Sequence, residues 1–136
     1  MLKLDIPTHI FEQMAEQART EAPIEACGIL AGMNGKAQKI YRMTNADHRG
    51  DHFMMEPREQ FAVVRDIRSS SLELLAIYHS HPETPARPSA EDIRLALTPN
   101  VVYVILSLQN GNRPALKGFR VDNGTVTDVP VEISHK

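Results

Sequence analysis

The 136-residue chain is poor in cysteine and in large aromatics: it has one cysteine, Cys27, and no tryptophan. A single cysteine excludes an intrachain disulfide and any Cys-rich zinc module, and it suits a reducing compartment. Long apolar runs are missing as well. The longest, Val101–Leu106, falls far short of the roughly 20 residues that a membrane-spanning helix needs. The opening MLKLDIPTHIFEQM has no basic stretch followed by an apolar one, so nothing signals secretion. Neither sign of charge dominates: 15 basic residues face 17 acidic ones, for a net charge of −2. That balance leaves no basic footprint for nucleic acid or an anionic membrane. No internal repeat appears at a solenoid period, and nothing in the composition suggests collagen, coiled coil or mucin. What remains is an ordinary folding mixture, 42% apolar and 24% charged, which reads as one cytoplasmic domain over residues 1–136.

The pattern along the chain alternates between strand and helix. Leu2–Ile6 reads as a short strand. A helix then opens at Pro7 or Thr8, with Ile10, Phe11, Met14, Ala15 and Ala18 on one face, and Pro23 ends it. Glu25–Met33 and Lys36–Met43 flank Asn34-Gly35, a dipeptide suited to a tight hairpin turn. Thr44–Asp51 is polar and reads as a loop. Pro57 fits the first turn of a second helix that carries Phe61, Val64 and Ile67 inward. Leu72–Tyr78 is apolar on both alternating faces, with Leu75 and Ile77 on one side and Leu74, Ala76 and Tyr78 on the other. Such a strand needs layers above and below it. Val101–Leu108 reads the same way. Ser89–Thr98 forms a short helix with Ile93, Ala96 and Leu97 facing in. Ala115–Val121 and Thr125–Ile133 form two further strands turned by Asn123-Gly124. The expected fold is α/β, a mixed β-sheet sandwiched by helices.

Chemistry concentrates in Tyr78-His79-Ser80-His81-Pro82, followed by Ser89-Ala90-Glu91-Asp92. At a strand end, residues i and i+2 project from one face, so His79 and His81 aim at a common point while Ser80 turns away. Pro82 lets the chain leave the sheet. Two imidazoles alone hold zinc weakly, whereas a catalytic site uses three protein ligands and an open position for water. Asp92 is the natural third ligand, because the loop Glu83–Pro88 is long enough to bring the next helix back over the strand end. Ser89 can supply a hydroxyl to a developing oxyanion. The same S-x-x-D spacing is also that of a helix N-cap with an acidic first turn, and the two uses are compatible.

In these residues the chain resembles the JAMM family of zinc metallopeptidases, also called MPN+ or Mov34/MPN/PAD-1. The family signature is an upstream Glu, then H-[S/T]-H-P, with seven residues between the second His and a Ser, then two residues and Asp. His79, Ser80, His81, Pro82, Ser89 and Asp92 match it without a gap, and Pro23–Gly32 (PIEACGILAG) matches the segment that holds the upstream Glu. The resemblance implies that His79, His81 and Asp92 bind one zinc ion, that Glu25 is the general acid/base, and that Ser89 steadies the oxyanion. The residues themselves support Glu25 only weakly: a carboxylate opening the apolar stretch Ala26–Ala31 also fits a strand rim. The resemblance further implies a cytidine-deaminase-like sandwich without deaminase chemistry, since H-x-E with P-C-x-x-C is absent. The implied reaction is hydrolysis after the C-terminal Gly-Gly of a ubiquitin-like protein. In small bacterial members the partner is a sulfur-carrier protein, from which a C-terminal cysteine or a tail extension is released. A chain of 136 residues lacks room for the insertions by which eukaryotic relatives read polyubiquitin linkages.

Other residues carry rival readings. His48 and His52 lie four apart in a polar loop, Phe53–Met55 beyond them read as core packing or a groove lining, and Cys27 reads as a small buried hydrophobe more readily than as a nucleophile. At the level of function, the rivals are a non-catalytic MPN-type scaffold and a RadC-like protein associated with DNA repair. The first usually lacks the ligands, and the second is at odds with the acidic balance.

Overall fold

The computed structural model describes residues 3–111 and 113–135. Its elements in chain order are β1 (Leu4–Pro7), α1 (Thr8–Glu21), β2 (Cys27–Met33), β3 (Lys36–Met43), α2 (Pro57–Ser69), β4 (Glu73–His81), α3 (Ala90–Leu95), β5 (Val102–Ser107), β6 (Ala115–Asp122), β7 (Thr125–Val129) and β8 (Val131–Ser134). All the strands join one mixed sheet in the order β7-β6-β5-β4-β2-β3-β1-β8. Leu2, placed in the first strand by the sequence pattern, lies outside the described residues. Among the described residues no helix is long and apolar enough to cross a membrane.

Helices cover both faces, as the doubly apolar strands require. On one face α1 buries Ile10, Met14, Ala15 and Ala18 against Leu4, Leu30, Tyr78 and Val104. On the other, Ile67 of α2 and Ala96 after α3 pack with Ile29, Ile77, Ile105 and Phe119. Each fully buried large aliphatic chain contributes about 1.5–3 kcal/mol, so these two layers hold the sheet. Asn34-Gly35 and Asn123-Gly124 all have positive φ, and each pair turns a hairpin as expected.

Four local expectations are corrected. The ladder between β2 and β4 shifts register at Leu30/Ala31, which leaves Leu75 as an extra residue. The bulge breaks the alternation, so Leu75 joins Ala76 and Tyr78 on the α1 face while Leu74 and Ile77 share the other. In α2, Phe61 faces solvent beneath Arg65, and Val63 with Ile67 packs inward instead. The helix after Ser89 stops at Leu95 and leaves Leu97 80% exposed. Thr125–Ile133 is divided at Pro130, which has no N–H for a ladder: Val129 pairs with β6, and Val131 pairs with β1 at the far side of the sheet. The sheet therefore curls until its two outer strands are consecutive in the chain.

Behind β2 and β4 lies a buried polar cross-tie. The Tyr78 hydroxyl donates to Gln17 Oε1 at 2.6 Å, and Gln17 Nε2 donates to the Cys27 carbonyl at 2.9 Å. The Tyr78 ring lies directly over Gly28, where a Cβ would collide with the phenol. Since Tyr78 is held at both ends, the ring cannot step aside. Gly28→Ala should lower unfolding free energy by about 1–3 kcal/mol, the usual cost of overpacking, measured by urea denaturation.

Candidate active site

Antiparallel pairing of β2 with β4 sets Cys27 opposite His79. The last residues of β4 thus lie beside the segment that enters β2, and this brings Glu25 to His79 and His81. One ligand atom from each of these three side chains lies within 4.8 Å of the other two. Glu25 precedes β2 and is not part of it, a correction to the strand start expected at that residue. Its N–H donates to the Arg49 carbonyl at 2.7 Å, and its own carbonyl accepts from Asn45 Nδ2 at 3.1 Å.

Asp92 arrives from α3. Ser89 is the N-cap: its hydroxyl oxygen accepts from the Asp92 N–H at 3.0 Å, and its own N–H donates to Asp92 Oδ2 at 2.9 Å. The capping box therefore aims the Asp92 carboxylate. Asp92 Oδ1 lies 3.2 Å from His79 Nε2, and Oδ2 lies 3.1 Å from His81 Nε2. The two Nε2 atoms are 3.2 Å apart. The structure thus gathers Glu25, His79, His81, Ser89 and Asp92 in one place.

The donor set fits a cation. The Pro85 carbonyl lies 2.9 Å from His81 Nδ1 and can only accept, so Nδ1 carries a proton and Nε2 faces the site. Two ring nitrogens and a carboxylate crowded this closely need a positive charge among them, either a proton or a metal ion. Burial works against the charge on Asp92, yet hydrogen bonds from His79 and His81 outweigh it and hold the carboxyl well below the usual range. Burial lowers His79. For His81 burial acts in the same sense, but the Asp92 and Pro85 hydrogen bonds prevail and raise it. Glu25 differs: burial pushes its carboxyl up to about 8, against the pull of His81. The Glu25 Oε1 and His79 Nδ1 atoms are buried with no hydrogen-bond partner.

A cleft of about 410 Å³ opens from His79 and Asp92, walled by Phe53, Met55, Tyr103 and Phe119. Phe53 stacks on the His79 ring with centroids 4.7 Å apart. The segment before α2 is therefore a wall of the site, and of the two readings of Phe53–Met55 both hold: the stretch lines the cleft while Phe53 and Met55 pack on the core. Asn45 holds that loop: Nδ2 also donates to the His52 carbonyl at 3.1 Å, and Oδ1 accepts from the Asp47 and Met54 N–H groups at 3.0 and 3.1 Å. His52 pairs with Asp47 at 2.7 Å, and His48 is exposed; among the described residues the two form no second metal cluster.

The described architecture is a mixed α/β sandwich with a His–His–Asp cluster at one end of the central strands. Residues 7–120 match the family described as prokaryotic homologs of the JAB domain, and the chain belongs to that family. It is 35% identical over 132 residues to the CysO-cysteine peptidase of Mycobacterium tuberculosis, covering 96% of this chain and 90% of that protein. It is 32% identical over 114 residues to a desampylase of Haloferax volcanii, covering 78% of each. The solution structure of a Desulfitobacterium hafniense protein superposes with a TM-score of 0.89 at 36% identity, covering 98% of this chain and 94% of that one.

Cys27 is fully buried, and burial pushes its thiol up to about 12. Folded protein at pH 8 should show no reaction with a thiol-specific chromophoric disulfide over minutes, with one equivalent appearing only in denaturant. Rapid native labelling would return Cys27 to the list of nucleophiles.

Proposed function

We propose that the protein is a zinc-dependent hydrolase that cleaves the bond after the C-terminal Gly-Gly of a ubiquitin-like sulfur-carrier protein, releasing a cysteine or a short extension. The observation that carries the reading is that the His79 and His81 side chains each place a ring nitrogen within 4.8 Å of the buried Glu25 carboxyl and within 3.2 Å of the Asp92 carboxylate. The names of the relatives support it: one is a CysO-cysteine peptidase, the other a desampylase. The rival scaffold reading has no use for a complete set of acidic and imidazole groups buried beside a cleft. The acidic balance of the chain likewise offers nothing to DNA.

His79, His81 and Asp92 are the ligands in this reading. A zinc ion held there supplies Lewis acidity and brings the ionisation of a water into the neutral range. Glu25 carries the proton. Its carboxylate accepts it from the attacking water as the oxygen bonds to the Gly carbonyl carbon, then delivers it to the amine nitrogen as the C–N bond breaks. Ser89 uses a lone pair as the helix cap, which leaves its O–H free to donate to the oxygen that gains charge. The cleft beside His79 receives substrate, and its apolar walls exclude water from the reacting bond. A cytoplasmic setting and a single domain over residues 1–136 complete the proposal.

The test is intact-mass spectrometry. Gly-Gly-ended carriers extended by cysteine, by a short peptide or by an isopeptide-linked lysine are incubated with zinc-loaded protein. One adduct should be shortened to Gly-Gly. Glu25→Gln should retain one zinc per chain by metal analysis while turnover falls about 10²–10⁴-fold, the range that general acid–base catalysis supplies. His81→Ala should lose both zinc and turnover. Unchanged turnover in Glu25→Gln would remove the proposed proton carrier, and zinc binding with no adduct cut would remove the substrate class.

A further inference from the structure

The serine between the two histidines has a place of its own in the site. Ser80 is buried, and it makes two bonds to Ala26, the residue after Glu25. Its N–H donates to the Ala26 carbonyl at 2.9 Å, and its hydroxyl oxygen accepts from the Ala26 N–H at 2.8 Å. In a hydrogen-bonded antiparallel pair the two residues exchange both bonds through their backbones. Carried one residue past Cys27 and His79, the register sets Ala26 against Ser80, and the Ser80 N–H bond to the Ala26 carbonyl marks this as a hydrogen-bonded pair, in which a backbone exchange is the regular pattern. Here the side chain replaces the Ser80 carbonyl as the acceptor. The ladder therefore ends in a side-chain bond, at the residue where the chain turns aside and presents Glu25 to the histidines.

Glu25 depends on such a clamp. Among the described residues its carboxylate makes no hydrogen bond, and Oε1 is buried without a partner. Nothing polar at the tip fixes the direction of the side chain, so its backbone must. That backbone is held from the loop side by Arg49 and Asn45 and from the strand side by Ser80 through Ala26. Ser80 also ties the two parts of the site together, because its neighbours on β4 are His79 and His81.

We propose that Ser80 is a positioning residue for Glu25, setting its distance from the histidines through the Ala26 amide without holding the metal. The proposal rests on the proton-carrying role of Glu25. Misplacing a reacting group by about 1 Å can cost 10²-fold, so a single lost bond has a measurable effect. Ser80→Ala should lower kcat by about tenfold or more with KM unchanged within about twofold. Zinc affinity should stay at the wild-type value, and Ser80→Thr, which keeps the oxygen, should recover most of the rate. In a Glu25→Gln background, Ser80→Ala should cost nothing further, since the effect passes through the carboxylate.

Two readouts do not depend on turnover. Hydrogen exchange of the Ala26 amide should accelerate in Ser80→Ala. A crystal structure of metal-free Ser80→Ala should show Glu25 displaced or split between conformers while His79 and His81 keep their places. The proposal is overturned if Glu25 stays in place, if the Ala26 amide exchanges as in the wild type, or if the histidines shift and zinc affinity falls. If the wild type cuts no carrier, the hydrolase reading falls, and the Ala26 amide with the Glu25 position still decides the role of Ser80.

Discussion

The pairing of β2 with β4 is the constraint on which the site depends. These strands are central in the sheet and covered on both faces, so a slip of one residue would turn every side chain to the wrong layer. Their register sets Cys27 against His79. The bulge at Leu75 absorbs the mismatch at the far end of the pair, leaving regular pairing from Leu30 to Cys27, up to the residue where the site begins. The Tyr78–Gln17–Cys27 tie adds a directional restraint to the apolar packing, one residue away from the first histidine.

Electrostatics then shapes what the pairing brings together. The two histidines, Asp92 and Glu25 would not share a buried corner without compensation, because burying charge or crowding acceptors is costly. Asp92 is compensated by both imidazoles and by the N–H of Ser89, which keeps it ionised. Glu25 has no such partner, and burial raises it to about 8. Two carboxyl groups of similar chemistry thus take opposite characters within one site, through environment alone.

The helix that delivers Asp92 is itself unusual. It has six residues and buries none of them, so packing contributes little to its stability. An isolated helix of this length does not form in water. Its capping box and the two histidines anchor it through one side chain, Asp92, which serves as both first-turn acid and site residue. Helix end and active site are one structure here.

The sequence by itself determined whatever depends on spacing over a few residues. His79 and His81 share a face because a strand has a two-residue period, Asp92 meets Ser89 because a capping box spans three residues, and both Asn-Gly pairs turn because their backbones accept positive φ. The tertiary structure decided what depends on partners distant in the chain. Leu75 changed layers because of a bulge, Phe61 faced solvent because Val63 and Ile67 filled the inner face of α2, and Pro130 divided a strand between opposite sides of the sheet. Ser80, expected only to turn away, was given Ala26 as a partner 54 positions earlier, and Asn45 was given Glu25. Local spacing acts through backbone periodicity and is written in each segment; the partners of a buried polar group follow from how segments pack, which no single segment contains.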